Sequence, residues 1–310
     1  MKPLKVMAQE YLSLRRSLGF KMLTTEYILR WFLAFMQSEH ETHVKTETVL
    51  RWVHASESVS LPVRSARFAV VRKFAQYAHA LDSEHEVPPY RLLMHRTERT
   101  NPHIYSDSEI LRLLEACLKL RPGKGLCRYT YYTIFGLLAV TGMRVSEATS
   151  LMRDDVDFPA GIITIRETKF SKMRCIPVHS STIQILAEYA RRRDKIYPNA
   201  ESSAFFLSDT GASLTSAVLR VMFLCLSRRI GFRKPTDRNG PRIHDMRHSF
   251  AVKTVMQWYR NGVDVDQNMP LLSTYLGHVK PSDTYWYLSS VPELVGLAAA
   301  RLEAYQGGLR

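Results

Sequence analysis

The segment Pro241-Arg-Ile-His-Asp-Met-Arg-His-Ser-Phe-Ala251 places two histidines and an arginine within five residues of one another. His244 and Arg247 are three residues apart, and residues with this spacing lie one above the other on a helix face. His248 stands beside Arg247. A lone histidine here would often be no more than a helix-start residue, so the segment gains meaning only together with others.

Two further segments have the same character. Thr141-Gly-Met-Arg-Val-Ser-Glu-Ala148 places Arg144 directly after a glycine turn and before an apolar-periodic stretch. Leu276-Gly-His278 is followed by Tyr287 nine residues after the histidine. Taken singly, each has an ordinary explanation as a cap, a helix end or a core aromatic.

Cleavage of a phosphodiester without a metal requires such groups. A nucleophile must attack in line, cations must hold the non-bridging oxygens, and an acid must protonate the departing oxygen. Arginine suits the second task because its guanidinium donates two hydrogen bonds to phosphate in a fixed geometry. Isolated basic residues in apolar or tightly turning segments therefore indicate phosphoryl-transfer chemistry.

In this order, the three segments resemble the signature boxes of the tyrosine recombinase (phage integrase) family: TGxRxSE, HDxRHxFA, and LGH with a tyrosine nine residues on. The resemblance covers roughly residues 105 to 290. It implies a mainly α fold with a small antiparallel β-sheet, in which a helical core-binding domain precedes an α+β catalytic domain. Each box alone is a weak signal, whereas their order with a hairpin between the first and second is specific.

The resemblance implies catalytic roles for six side chains: two arginines, two histidines, one lysine and one tyrosine. Arg144 and Arg247 would clamp the scissile phosphate. Tyr287 would attack it and form a 3′-phosphotyrosyl bond. Lys169 would be the general acid on the 5′-oxygen, and the nearby Lys172 is the alternative or a DNA contact.

The two histidines of this catalytic set have separate roles. His244 would assist proton movement around the nucleophile, and His278 would hydrogen-bond the phosphate. Glu147 and His248 would position the site. Tyr285 is an alternative nucleophile. The covalent intermediate conserves the energy of the broken bond, so no nucleotide cofactor is expected.

The composition agrees with a nucleic-acid partner. The 310 residues include 43 lysines and arginines against 29 acidic residues, for a net charge of +14. Such an excess is typical of proteins that neutralise phosphates. The four cysteines show no CxxC pair and the histidines show no HExxH, which predicts reduced, mostly buried thiols and no metal site. With neither a signal peptide nor a spanning apolar run, we expect a cytoplasmic, nucleoid-associated bacterial protein and no membrane partner.

The periodicity predicts two domains. Residues 1–87 form a helical DNA-binding domain, 88–104 a proline-containing linker, and 105–310 a catalytic domain. One apolar face of the first helix is predicted to consist of Leu4, Met7, Tyr11, Leu14 and Leu18, and a short helix is predicted around Thr46 to His54. A capping box begins a helix at Ser106, and residues 161–178 form a β-hairpin. A helix starting near Pro62 carries four cations that are candidates for DNA contact, although a solvated face is an equal alternative: Arg64, Arg67, Arg72 and Lys73.

The chain after Tyr287 contains Ser290-Val-Pro-Glu293, a second capping box, and then Leu294, Leu297 and Leu302 on a short apolar face. We expect this tail helix to dock on a neighbouring protomer, so that four subunits hold two duplexes with specific recombination sites. Partner recombinases are a further expectation.

Three functions fit these patterns. The first is a site-specific recombinase that acts through a Holliday junction in DNA integration, excision or transposition. The second is a type IB topoisomerase-like enzyme, against which the short LGH-to-tyrosine spacing speaks. The third is a non-catalytic DNA-binding accessory protein, against which the complete set of catalytic residue types speaks.

Overall fold

A computed structural model describes residues 2–55, 59–93, 101–121, 125–166, 173–237, 239–278 and, singly, 284, 294, 296, 299 and 303. Its internal contacts divide the chain into an N-terminal unit, Met1–Thr100, and a C-terminal unit, Asn101–Arg310. The linker expected at 88–104 includes residues outside the described ranges, so its character stays a prediction. Within the described ranges, no helix is long and apolar enough to cross a membrane.

The described N-terminal unit contains α1 (Leu4–Ser17), α2 (Leu23–Ser38), α3 (Thr46–His54) and α4 (Leu61–Leu81). The last helix contacts each of the other three. Fully buried aromatic side chains, including Phe32 and Phe74, fill the space between them. Burial of such large apolar surfaces is the dominant stabilising term for a helical unit of this kind.

The apolar face of the first helix is narrower than predicted. Met7 and Tyr11 are buried as expected, but Leu14 and Leu18 are 50% and 59% exposed. That part of the prediction is wrong, because α1 (Leu4–Ser17) ends before Leu18 and buries only its middle turns. Helical spacing places residues on one face but does not determine how far along that face a neighbour extends.

The C-terminal unit is also mostly helical, which confirms the predicted fold class. Its helices are α5 (Asp107–Leu118), α6 (Cys127–Thr141), α7 (Val145–Thr149), α8 (Ser180–Ile196), α9 (Ser216–Arg229), α10 (Asp245–Arg260) and α11 (Val265–Leu276). The capping box at the start of α5 is present: Ser106 Oγ accepts from the Glu109 amide at 3.2 Å, and Glu109 Oε2 accepts from the Ser106 amide at 2.8 Å. These two bonds satisfy amides that the first turn leaves without helical partners.

The small antiparallel sheet has the order β1 (Val156–Asp157), β2 (Ile162–Ile165) and β3 (Arg174–Pro177). The predicted hairpin is confirmed in its two strands, with Ile163 opposite Ile176 and Ile165 opposite Arg174. The short β1 was not predicted, because two residues are too few to show an alternating pattern. Ile163, Ile165 and Ile176 turn into the core and fix the hairpin on the helices.

Two apolar clusters build the C-terminal unit. One surrounds α6 and the sheet, and the other lies between α10 and α11. Leu294 is 2% exposed and belongs to the second cluster. This tail residue is thus covered by its own chain rather than left open for a neighbour; Leu297 and Leu302 lie outside the described side chains.

The cysteines differ from the prediction of mostly buried thiols. Cys117 is buried, whereas Cys175 and Cys225 are exposed. Cys175 lies on β3, where alternate residues face opposite sides of the sheet, and it takes the outer side while Ile176 takes the inner one. Alternation in a short strand was too weak a pattern to assign the inner face from sequence.

Candidate phosphate-binding site

Arg144 lies at the N-cap of α7, immediately before its first residue. Its Nη1 donates to Glu147 Oε1 at 2.8 Å, and its Nη2 donates to the Gly277 carbonyl at 2.7 Å. About a third of its side chain, 33%, stays exposed. Arg144 is therefore oriented from within the protein while a third of its side chain faces solvent, as a phosphate ligand requires.

Arg247 lies in the first turn of α10 and is only 2% exposed. Its Nη1 donates to the Gly142 carbonyl at 2.9 Å, and its Nη2 donates to the Leu276 carbonyl at 2.6 Å. This side chain thereby joins the turn after α6 to the end of α11. A buried guanidinium needs such acceptors, because desolvation without them is costly.

Sequence reasoning missed a third arginine, Arg174, at the start of β3. Its Nε donates to the Tyr275 carbonyl at 3.0 Å. Its Nη1 and Nη2 donate to the two carboxylate oxygens of Glu147 at 2.9 and 2.8 Å. The available signal was an arginine inside an otherwise apolar strand, which is unusual unless the charge is paired.

The three arginines converge on the C-terminal end of α11. They donate to three consecutive carbonyl groups there, which would otherwise lack partners at a helix end. The C-terminus of a helix carries partial negative charge and stabilises cations. The pairs are Arg174 with Tyr275, Arg247 with Leu276, and Arg144 with Gly277.

Glu147 is the acidic centre of this arginine cluster. It is 6% exposed and accepts four hydrogen bonds, three from guanidinium groups and one from the Arg144 amide at 2.7 Å. Burial would raise the pKa of its carboxyl, but the bonds from Arg174 and Arg144 lower that pKa to about 2. Glu147 is thus a carboxylate at neutral pH, and it holds the guanidinium groups of Arg144 and Arg174.

The two histidines of the 241–251 segment lie together. The rings of His244 and His248 meet edge to face with centroids 4.9 Å apart. His244 as a whole residue is exposed, but its imidazole packs against the protein. This packing, followed by the charge of Arg247, lowers the pKa of His244. Burial, followed by the charges of His244 and other neighbours, lowers the pKa of His248 to about 4. At neutral pH both rings are therefore uncharged, and a neutral imidazole can accept a proton.

His278 directly follows the glycine that ends α11. Its Nδ1 lies 2.7 Å from Thr284 Oγ1, and Thr284 is 1% exposed. This bond fixes the ring from its Nδ1 side. The predicted His278 thus stands one residue from the Arg144 acceptor Gly277.

Three predicted catalytic side chains, Lys169, Lys172 and Tyr287, lie outside the described residues, as does the alternative nucleophile Tyr285. Lys169 and Lys172 fall in sequence between the described ends of β2 and β3. Within the described residues, the structure brings together Arg144, Glu147, Arg247, His244, His248 and His278. No group of three or more His, Cys, Asp or Glu side chains that could hold a metal ion occurs among these same described ranges.

The predicted DNA-contacting cations of the N-terminal unit lie on α4. The guanidinium of Arg67 lies 5.2 Å from the Trp31 ring centre, and that of Arg72 lies 5.3 Å from the Tyr90 ring centre. Arg72 Nε also donates to the Pro88 carbonyl at 2.8 Å. Arg64 Nη1 lies 3.4 Å from His54 Nδ1. Lys73 is exposed.

Comparison with known proteins places the same segments in a family. Residues 105–293 match the profile of the phage integrase family. A protein named integrase/recombinase y4rB, from Sinorhizobium fredii, is 43% identical over 299 residues, which cover 95% of each protein.

Solved structures share the fold. The Tn1549 transposon integrase in complex with transposon right end DNA aligns with a TM-score of 0.66 at 15% identity, over 98% of this chain and 99% of that one. A lambda integrase tetramer bound to a Holliday junction aligns with a TM-score of 0.62 at 13% identity, over 91% and 79% of the two chains. At these identities the likeness shows the fold alone.

Proposed function

The chain belongs to the phage integrase family of tyrosine recombinases, which break and rejoin DNA, and from this premise we propose that it is a site-specific recombinase of mobile DNA. Its relative y4rB, similar over nearly the full length of both proteins, is named an integrase/recombinase. That name supports a role in integration, excision or transposition. The proposed location is the bacterial nucleoid, where the substrate would be.

One observation carries the proposal. Arg144 and Arg247 come from different boxes of the sequence, yet they donate to the adjacent carbonyls of Gly277 and Leu276. These two guanidinium groups lie at one helix end, beside His278, and can together bind one anion. A scissile phosphate bound there would have its non-bridging oxygens held through the five-coordinate transition state.

The proposed reaction follows from the groups around that phosphate. The Tyr287 hydroxyl attacks phosphorus and loses its proton, for which the neutral imidazole of His244 is a suitable acceptor. The P–O5′ bond breaks, and Lys169 protonates the departing 5′-oxygen. The product is a 3′-phosphotyrosyl bond and a free 5′-hydroxyl. Attack by a 5′-hydroxyl from a second duplex reverses these steps and joins the strands.

The proposed assembly is a tetramer that holds two duplexes and exchanges strands through a Holliday junction. The tetrameric lambda integrase of the same fold supports this arrangement. In it, residues 1–87 would clamp the duplex with the α4 cations, 88–104 would link the domains, and 105–310 would carry out the chemistry. Tail residues beyond the buried Leu294 are the proposed subunit contacts. A partner recombinase would take the place of one of the four subunits.

Because the target sequence has to be found first, the test begins by selecting it from a library. A library of nicked duplexes with a randomised central segment is incubated with the protein, and DNA that becomes covalently attached is captured after denaturation and sequenced. We expect one enriched sequence with wild type and none with Tyr287→Phe, while Tyr285→Phe behaves as wild type. Absence of any adduct with wild type would favour the non-catalytic accessory protein, and an adduct surviving Tyr287→Phe would move the nucleophile.

Two further measurements on the enriched duplex refine the proposal. Lys169→Ala should cleave slowly, yet cleave quickly when the 5′-bridging oxygen is sulfur, because a thiolate leaves without an acid; the same pattern with Lys172→Ala would make that lysine the acid. Joining of two labelled duplexes distinguishes a recombinase from a topoisomerase, which would relax supercoiled DNA as a monomer without joining separate sites.

A further inference from the structure

Arg174 differs from Arg144 in how its hydrogen bonds are used. Its guanidinium donates into the protein, toward Tyr275 and Glu147, and its side chain is 11% exposed. Arg144 is three times more exposed at 33%. Each of the three guanidinium nitrogens of Arg174 thus contacts a protein oxygen.

The contacts of Arg174 determine the orientation of Glu147. Each carboxylate oxygen of Glu147 receives one bond from Arg174 and one from Arg144. A bidentate pair of this kind fixes the plane of the carboxylate. Glu147 Oε1 in turn is one of the two acceptors that hold the Arg144 guanidinium, so the position of Arg144 depends on Arg174 through one intermediate side chain.

The charge balance gives Arg174 a second effect. One buried carboxylate shared between two guanidinium groups leaves one net positive charge, which is available to a bound phosphate. Without Arg174, Glu147 and Arg144 would form a neutral pair, and the attraction of Arg144 for an anion would be largely cancelled. Arg174 thus prevents the Glu147 carboxylate from neutralising the positive charge of Arg144, the side chain proposed to bind the phosphate.

Arg174 also connects the hairpin to the arginine cluster. It is the first residue of β3 and bonds to the last turn of α11, and these two elements are in contact. The strand that returns from the Lys169 region is therefore attached to the helix end whose next two carbonyls accept from Arg247 and Arg144.

We propose that Arg174 is a positioning residue for phosphoryl transfer: it shares the Glu147 carboxylate with Arg144 and thereby keeps Arg144 both oriented and positively charged toward the scissile phosphate. This proposal rests on the proposed function. It predicts that the loss of Arg174 slows cleavage through charge as well as geometry.

The first experiment measures single-turnover adduct formation on the enriched duplex. We expect Arg174→Met to cleave about 100-fold more slowly than wild type, comparable to loss of a transition-state hydrogen-bond donor. Arg174→Lys retains the charge without the bidentate geometry and should lie between the two. The matched control is Arg193→Lys, since Arg193 is also buried and bonded to an aspartate and two carbonyls, but to no residue of the site; it should cleave at the wild-type rate.

The second experiment separates charge from structure. Adding Glu147→Gln to Arg174→Met restores one net positive charge at Arg144, so the double variant should cleave at least about tenfold faster than Arg174→Met alone, a gain that corresponds to one unit in the logarithm of the rate. A purely structural role predicts a double variant no faster than the single one, because a second contact has been lost. That result would overturn the proposal.

The third experiment uses a duplex with a neutral methylphosphonate in place of the scissile phosphate. A substrate with less charge has less need of the Arg144 cation, so the difference between wild type and Arg174→Met should shrink on this substrate. Equal fold-differences on both substrates, or wild-type cleavage by Arg174→Met, would contradict the proposal. Failure of wild type to form any adduct with the phosphate duplex would instead contradict the proposed function.

Discussion

Arg174 leaves no space for a side chain on Gly277: a Cβ at that position would lie 2.5 Å from Arg174 Nη1 and 3.4 Å from Arg144 Nη1. Gly277 also has a φ of +69°, in the left-handed region, where it ends α11. This conformation directs its carbonyl to Arg144 and lets the His278 amide bond to the Ser273 carbonyl at 2.9 Å. The glycine of the LGH box is therefore required both by the backbone and by the arginines packed on it.

Gly277→Ala should lower the free energy of unfolding by more than its backbone strain explains. Gly262 provides the matched control, since its φ is +68° and nothing lies within 4 Å of a Cβ there. Gly262→Ala should cost about 1 kcal/mol, as alanine does in the left-handed region. Gly277→Ala adds overpacking and should cost about 1–3 kcal/mol more. Equal costs in urea unfolding would show that the arginines move aside freely.

Glu147→Gln should strongly destabilise the C-terminal unit, because it leaves the largely buried guanidinium of Arg174 and the partly exposed one of Arg144 beside a neutral amide. Breaking a buried pair in this way typically costs about 3–5 kcal/mol. The exposed pair of Arg192 with Glu188 is the control, and Glu188→Gln should leave the urea midpoint unchanged. A Glu147→Gln midpoint equal to that of wild type would refute the central role of this carboxylate.

The pH dependence of the Glu147 effect has a defined sign. Because its pKa is lowered from 4.5 to about 2 in the folded protein, its stabilisation is fully present above pH 4.5 and is lost as the pH falls toward 2. The stability difference between wild type and Glu147→Gln should hence be constant from pH 5.5 to 8 and shrink below 4.5. Unfolding curves at a series of pH values measure it.

His248 should make stability sensitive to pH in a higher range. Its ring is neutral in the folded protein, with a pKa lowered from 6.5 to about 4, so its contribution is complete above pH 6.5 and lost as the pH falls toward 4. The loss is at most about 3 kcal/mol. His248→Gln should flatten the stability profile in this window. A profile unchanged in His248→Gln would mean that other groups produce the slope.

Ser249→Ala tests how the start of the C-terminal unit is held. The buried Tyr105 amide donates to Ser249 Oγ at 2.8 Å, and that hydroxyl donates to the Asp245 carbonyl at 2.8 Å. Loss of the acceptor leaves a buried amide unsatisfied and should cost about 1–3 kcal/mol in urea unfolding. Thr254 makes the same bond to the carbonyl four residues before it at 2.8 Å, so Thr254→Ala should cost less; equal costs would mean that the Tyr105 bond contributes little.

Local patterns were readable from the sequence because the interactions behind them span only a few residues. The capping box joins Ser106 and Glu109, and the predicted helix from Thr46 to His54 coincides with α3. The three boxes with their spacing likewise identified the family, since the order of residue types is itself a sequence property. Arg144, Arg247 and His278 were found in this way.

Only the tertiary structure decided which of these groups touch. Arg174 donates to Tyr275, which is 101 residues away, and Arg144 donates to Gly277 at a separation of 133. No periodicity encodes such pairs, because they result from the packing of β3, α7 and α11 around shared apolar surfaces. The exposure of Leu14 and of Cys175 depends in the same way on which neighbour is present. The sequence by itself thus determined the chemical groups and their family, while packing determined that one carboxylate would be shared by two arginines at the end of a helix.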